Sequence, residues 1–349
     1  MVFICCIFAG AVLKIASSVI LPFTIAVLLS CAMYPLIKVL DKFKFPRFLS
    51  ILLVIFIMVT GLYVFGMVLF TSGRMIVNLY PNYEERFAKI YEWTANLFEL
   101  PYDKDESFWK SLWDQPGIRS WVRNFTLSFS NIFFTFLGKA ILVMFFVVFI
   151  LVEANFFKEK LELAFKSRSE RINRMGHDLM TQITKYLTAK FLISLANGLI
   201  FAVSFYLVGL EFAIVWGIIQ FVLNFIPTLG SIAAGVGISL FALMQFWPNP
   251  GPIILIVAIV LVVNMVLGNI LDPKIIGDHV GISPLMILVS LAIWGYIWGF
   301  AGMVLAVPMT VIIKIVCENI PIMEPVSVLI GSGRSTRKKA ENIKNEAEI

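Results

Sequence analysis

Apolar blocks of about 20 residues recur along the whole chain, and few folds accommodate such a pattern. A helix of about 20 residues rises about 30 Å, which matches the hydrocarbon core of a bilayer. Helices also satisfy their own backbone hydrogen bonds where no water is present. Charged residues form only 14% of the chain, whereas a soluble domain carries roughly a quarter. The pattern therefore predicts an all-α, polytopic integral membrane protein with about eight transmembrane segments.

Six of the apolar blocks run without interruption. They cover residues 2–16, 18–39, 49–72, 131–153, 190–209 and 252–271. The first block lacks a basic leader and a clear small-residue cleavage site, so we expect a membrane span there rather than a cleaved signal peptide.

Two further apolar runs, 212–246 and 284–317, have about 35 residues each, which is too long for one crossing. The first is interrupted by NFIPTLGS and the second by GYIWGFAG. Either each run is a pair of full crossings, or it is a re-entrant hairpin whose arms of about 11 to 15 residues reach only about 16 to 22 Å. We favour two broken or re-entrant helical hairpins, because Pro and Gly interrupt membrane helices mainly where protein or a water-filled cavity satisfies the freed backbone.

Basic residues near the span ends predict the orientation, because Lys and Arg are retained on the cytoplasmic side. Loop 38–47 has four basic residues and one acid, and segment 156–190 has eight basic residues and four acids. Segment 73–131 has seven basic and eight acidic residues, and its aromatic residues recur at helical spacing. We therefore expect cytoplasmic termini and an amphipathic helical extracytoplasmic segment at 73–131.

These observations divide the chain into six regions. We expect N-terminal transmembrane helices in 1–72, the extracytoplasmic segment in 73–131, a transmembrane helix in 132–155, a basic cytoplasmic helical segment in 156–189, a transmembrane core with two broken hairpins in 190–317, and a polar cytoplasmic tail in 318–349. The core contains both interrupted runs, so it is the expected location of a transport site.

The sequence has no pattern typical of an enzyme. It has no phosphate-binding loop, and its two histidines, His177 and His279, are about a hundred residues apart. The four cysteines lie in or beside apolar segments without metal-type spacing, so we expect ordinary thiols. We therefore predict no enzymatic activity, no cofactor and no metal site. ATP-driven pumping would need a separate ATPase subunit.

The first interruption is polar within an otherwise apolar sequence. Asn224, Thr228 and Ser231 can each donate and accept hydrogen bonds, and a turn at Pro227 and Gly230 leaves backbone groups unpaired. The segment is either a kinked helix whose polar groups bridge to neighbouring helices, or a substrate site or gate at the tip of a broken helix. We favour the second interpretation, because broken polar helices are typical of transport sites.

Four more residues are candidates for substrate binding or gating. Asn264 and Asn269 lie five positions apart and either join helices by hydrogen bonds or contribute to the same site. Gly295 and Gly299 have the spacing of closely packed helices, but the aromatic residues beside them favour the tip of a hairpin.

Coupling to an ion would require a carboxylate inside the membrane region, where a charge is costly and therefore conspicuous. The run 190–317 has no acid at a secure mid-membrane position. Asp272 and Glu153, both near the ends of spans, are the candidates for ion coupling.

Two segments resemble the autoinducer-2 exporter family of bacterial permease-like proteins. They are GLEFAIVWGIIQFVLNFIPTLGSIAAGVG and LDPKIIGDHVGISPLMILVSLAIWGYIWGFAGMVLAVPMTVII. The family has a polar-Ile-Pro-x-x-Gly segment, a Pro-x-x-x-Gly loop followed by a second Pro, and a Gly-rich final span that ends in Ala-Val-Pro. These motifs fall on 224–230, on Pro273, Gly277 and Pro284, and on 295–308. The chain departs from the commonest family pattern at Ala189 and Lys190, where many members have Gly and Gln.

The resemblance implies a permease of the bacterial inner membrane with eight spans that forms a homo-oligomer, for which a pentamer is a candidate. It implies export of a small polar metabolite, above all the quorum-sensing signal autoinducer-2. We expect passive or weakly coupled transport, because a neutral polyol needs hydrogen-bonding partners rather than a counter-ion. Sodium or lithium/proton antiport is the first alternative, and a membrane scaffold that transports nothing is the second. The expected partners are the lipid bilayer, the metabolite and further copies of the chain, without nucleic acid.

Overall fold

The structure is a computed structural model. It describes residues 2–68, 70–71, 134–154, 156, 160, 163, 169–272 and 281–333. The predicted extracytoplasmic segment 73–131, residues 334–349 of the polar tail and the loop residues Pro273 and Gly277 lie outside these ranges.

Helices account for almost all of the described residues, which confirms the all-α prediction. We number them α1 (Val2–Ile15), α2 (Ser17–Lys42), α3 (Arg47–Val68), α4 (Phe134–Ala154), α5 (Ser169–Val208), α6 (Ala213–Leu223), α7 (Leu229–Phe246), α8 (Pro250–Val263), α9 (Pro284–Asn319) and α10 (Glu324–Ile330). A π-helix, Asn264–Leu271, continues α8, and a short 3₁₀ turn, Pro321–Met323, precedes α10. Within the described ranges, seven helices are long and apolar enough to cross a membrane.

Helix α5 is longer than the span predicted at 190–209. It has 40 residues and begins at Ser169, so the basic segment before Lys190 continues into the span as one helix. Charged residues ended the apolar block in the sequence, but Lys, Arg and Glu are good helix formers. The predicted boundary at 189 and 190 is therefore not a break in the helix.

The first long run folds into an antiparallel pair of helices, α6 and α7. The rings of Trp216 and Phe241 lie 5.5 Å apart, and the Gln245 side chain accepts a hydrogen bond from the Glu211 backbone N–H over 2.8 Å. The chain leaves the helical conformation after Asn224, and Thr228 has a positive φ of 62°. Because α6 has only 11 residues, it rises about 16 Å and is too short to cross a bilayer alone.

The second long run, α9, also reverses direction, at Gly299. This residue has φ 63° and ψ −141°, a conformation that favours glycine. The Ser290 hydroxyl donates a hydrogen bond to the Ala306 carbonyl oxygen over 3.0 Å, whereas 16 residues of straight helix would separate them by about 24 Å. The run is therefore a hairpin with one arm before Gly299 and one after it.

A glycine allows close contact just beyond each turn. A methyl group on Gly230 would overlap the carbonyl oxygen of Leu223, and a methyl group on Gly302 would overlap that of Trp294. Ile226, in the first turn, belongs to the same buried cluster as Trp294 and Trp298 beside the second turn. Both interrupted runs are thus helical hairpins, and their turns contribute to one core.

Candidate functional site

Helix α5 presents a line of polar side chains to the interior of the bundle. Lys190, Ser194 and Asn197 are spaced four and three residues apart, which places them on one face of a helix. All three are buried, and apolar residues precede and follow them on the same face. Helix α6 adds Gln220 and Asn224, also buried and four residues apart.

Close packing of α5 against α6 brings these residues together. A Cβ atom on Gly198 would lie 2.7 Å from the Gly217 carbonyl oxygen, so the two backbones approach as only glycine allows. Asn224 Nδ2 donates a hydrogen bond to Ser194 Oγ over 2.9 Å. The first turn is therefore joined to α5 by a buried polar contact.

The π-helix that follows α8 completes the site. Gln220 Nε2 donates a hydrogen bond to Asn264 Oδ1 over 3.0 Å, and Asn264 is the first residue of the π-helix. π-Helical turns occur frequently at functional sites. We call this set the polar column, and its members are Lys190, Ser194, Asn197, Gln220, Asn224, Asn264 and Asp272.

The polar column has hydrogen-bonding capacity that the described part of the chain does not use. Asn197 Oδ1 and Gln220 Oε1 are buried and have no hydrogen-bond partner among the described residues. A buried polar atom left unpaired costs about 1–3 kcal/mol. These two amides could therefore bind water or a polar solute, which is the chemistry that a transport site requires.

An ion pair lies at one end of the polar column. Lys190 Nζ lies 2.6 Å from Asp272 Oδ2, and the Lys190 side chain is only 2% exposed. Asp272 directly follows the π-helix. The ion pair therefore connects α5 to the residue that follows the π-helix, and it balances the charge of both groups.

Residues 3–322 of the chain match the model of a protein family that is described as AI-2E family transporter. The chain belongs to this family. A putative transport protein of Borreliella burgdorferi is 30% identical over 93% of this chain and 88% of its own length. The putative transport protein YhhT of Escherichia coli K12 is 28% identical over 91% and 90%, and the AI-2 transport protein TqsA of the same strain is 26% identical over 91% of each chain.

These comparisons confirm the predicted family. With the seven long apolar helices, they identify this AI-2E family transporter as a multi-pass membrane transporter. No group of three or more His, Cys, Asp or Glu side chains that could hold a metal ion occurs within the described ranges.

The residues of the first turn that were predicted to form the site differ in burial and in their contacts. Asn224 lies in the polar column, whereas Pro227 and Ser231 are half-buried beside the turn and Thr228 is exposed at it. Gly230 is buried against Leu223. Of the three polar candidates in this turn, Asn224 alone has a hydrogen bond to a described side chain of the polar column.

The other residues predicted for substrate binding or gating lie in three places. Asn264 is in the polar column, and Asn269 is in the π-helix, although its side chain lies outside the described part. Gly295 and Gly299 lie at the second turn, where Gly295 faces Met303. Their role in gating stays a prediction.

The two carboxylates predicted as candidates for ion coupling, Asp272 and Glu153, differ in their surroundings. Asp272 is paired with the buried Lys190. Glu153 lies 2.6 Å from Lys160, and both side chains are more than half exposed. A surface ion pair of this kind contributes little energy and can rearrange freely, so Asp272 has the more specific environment.

The sequence analysis missed Ser194, Asn197 and Gln220, and it noted Lys190 only as a basic residue of segment 156–190 and as a departure from the family pattern. One signal was available, because polar residues at helical spacing on an otherwise apolar helix indicate an inward face. That signal does not reveal which helix they contact.

Proposed function

We propose that this AI-2E family transporter exports a small polar metabolite, with autoinducer-2 as the leading substrate, by passive or weakly coupled transport. The observation that carries the proposal is the buried contact between Asn224 and Ser194. The amide oxygens of Asn197 and Gln220, which have no hydrogen-bond partner within the described part of the chain, belong to the same polar column. An uncharged polyol needs many hydrogen-bonding partners and no net charge. The polar column offers amides, a hydroxyl and an ion pair whose charges cancel.

The named function of one relative supports the choice of substrate. The relative TqsA is described as an AI-2 transport protein and aligns with 91% of this chain. Other relatives are described only as putative transport proteins. Autoinducer-2 is therefore the first substrate to test, ahead of other small polyols.

We propose a location in the bacterial inner membrane with both termini in the cytoplasm, and assembly into a homo-oligomer. The basic loop and segment on either side of 73–131 support this orientation. Many large apolar side chains remain exposed on the single chain, and these surfaces can contact lipid or further copies.

Sodium or lithium/proton antiport is the second candidate function, because Asp272 has a buried oxygen, Oδ1, without a hydrogen-bond partner among the described residues. A carboxylate with a free oxygen is a suitable cation ligand. The ion pair with Lys190 argues against this function, because it leaves Asp272 without net charge to attract a cation.

Measurements of autoinducer-2 release and internal pH in reconstituted vesicles distinguish the two functions. Vesicles loaded with autoinducer-2 should release it after the proton and sodium gradients are collapsed, and a sodium pulse should not change the internal pH. Release that stops completely without a gradient would contradict passive transport and favour the antiport. Vesicles with no release and no pH change would support the third hypothesis, a scaffold that transports nothing.

A further inference from the structure

Lys190 is the most deeply buried charged side chain within the described ranges. Its ammonium group lies 2.6 Å from Asp272 Oδ2, and Lys190 is on the face of α5 that points into the bundle. A buried ammonium is costly unless it is paired, and the half-buried Asp272 carboxylate supplies the counter-charge. Lys190 therefore depends on Asp272.

The Asp272 carboxylate has one oxygen that Lys190 does not contact. Asp272 Oδ1 is buried without a hydrogen-bond partner among the described residues, and Asp272 directly follows the π-helix Asn264–Leu271. The ammonium of Lys190 contacts the other oxygen, Oδ2, over 2.6 Å. A carboxylate with a free oxygen is a suitable ligand for a small cation, so the ammonium lies where such a cation would bind.

We propose that Lys190 is a specificity-determining residue, in which the side-chain ammonium acts as a tethered cation. It occupies the Asp272 carboxylate, so sodium and lithium do not bind there and the polar column accepts uncharged solutes. This inference rests on the proposed function, since it assumes that solute passes the column. Removal of the Lys190 charge should convert the same carboxylate into a site for a small monovalent cation.

When Lys190 loses its charge, we expect the melting temperature to depend on the sodium or lithium concentration. Lys274 is close to Asp272 in the sequence and lies outside the described residues. All variants therefore carry Lys274→Gln, so that the Lys274 ammonium cannot replace that of Lys190 beside Asp272. We would measure the melting temperature in detergent from about 1 mM to about 200 mM sodium or lithium, with choline chloride maintaining the ionic strength. For K190Q/K274Q we expect a rise of at least about 2 °C, because a ligand that binds only the folded state stabilises it. K274Q alone should show no rise.

Two control variants identify the carboxylate as the cause. In K190Q/D272N/K274Q the cation dependence should disappear, because no carboxylate remains. In K185Q/K274Q, which removes a different charge from α5, none should appear. A dependence that persists without Asp272, or that appears with K185Q, would overturn the proposal.

A second variant tests the tethered cation directly and guards against poor folding of the Gln variant. Lys190→Ala, with Lys274→Gln, leaves space beside Asp272. Methylammonium, an ammonium without a tether, should raise its melting temperature by at least about 2 °C relative to choline. If neither sodium, lithium nor methylammonium affects either variant, Lys190 does not occupy a cation site and the inference is wrong.

These measurements need no solute flux, so their failure is distinct from failure of the proposed function. Sodium uptake by K190Q/K274Q vesicles, compared with K274Q vesicles, provides the functional counterpart. We expect at least about tenfold faster uptake by the variant, which corresponds to about 1.4 kcal/mol. Equal uptake would show that the cation binds without passing, and would overturn the role of Lys190 in selectivity.

Discussion

Asn224 and Ser194 are 30 positions apart in the sequence, and a hydrogen bond of 2.9 Å joins their buried side chains. The first belongs to the interruption between α6 and α7, and the second lies on the long helix α5. The bond gives the buried amide of Asn224 a partner on α5, which offsets the cost of burying an asparagine within an apolar run.

Our first prediction concerns the hydrogen bond between Gln220 and Asn264. We expect Gln220→Leu and Asn264→Leu each to lower the free energy of unfolding by about 1–3 kcal/mol, because each leaves the other amide without this partner. The double variant should lose less than the sum of the two, since both polar groups are then removed. Reversible unfolding in detergent measures the four free energies of the cycle, and additive losses would contradict the contact.

The second prediction concerns the glycines beside the two turns. Gly230→Ala and Gly302→Ala should each lower the melting temperature, because the new methyl group overlaps a backbone carbonyl oxygen that cannot simply rotate away. Gly61→Ala is the matched control, since no heavy atom of the described residues lies within 4 Å of its added Cβ. Alanine is the better helix former by about 1 kcal/mol, so the control should be unchanged or more stable. Equal melting temperatures for all three variants would exclude close packing at the turns.

The orientation of the chain gives the third prediction. In a background without native cysteines, a cysteine at Asp103 should react with an impermeant thiol reagent in intact cells, and one at Ser169 should react only after lysis. The charge balance of the segments around these residues sets this expectation. Labelling with the opposite pattern would invert the proposed topology, and labelling of both positions in intact cells would exclude it.

Much of the fold is predictable from the sequence because membrane helices are encoded locally. The apolar blocks at 18–39 and 49–72 correspond to α2 and α3, and each predicted end lies within a few residues of the observed end. Pro227 and Gly230 mark the first turn, and the Gly-rich stretch 295–302 marks the second. In each case the signal is the loss of helix-forming residues within a stretch that is otherwise apolar.

The polar column is less predictable, because its contacts join distant parts of the chain. Lys190 and Asp272 are 82 positions apart, and no property of either residue identifies the other. Their pairing follows from how α5 packs against the segment after α8. Packing of α5 against α6 buries Asn224, whereas Thr228 is exposed, although both residues looked equally suitable in the sequence.

Flux in proteoliposomes is the most direct measurement of whether solute passes the polar column. We would compare wild type with Asn224→Leu and Gln220→Leu, and normalise autoinducer-2 efflux to the amount of correctly assembled protein. Leu52→Ala is the control, because its side chain is 54% exposed on α3 and lies outside the column. We predict roughly tenfold lower flux for the first two variants, equivalent to about 1.4 kcal/mol, and wild-type flux for the control. Wild-type flux in both column variants would show that solute does not pass the polar column.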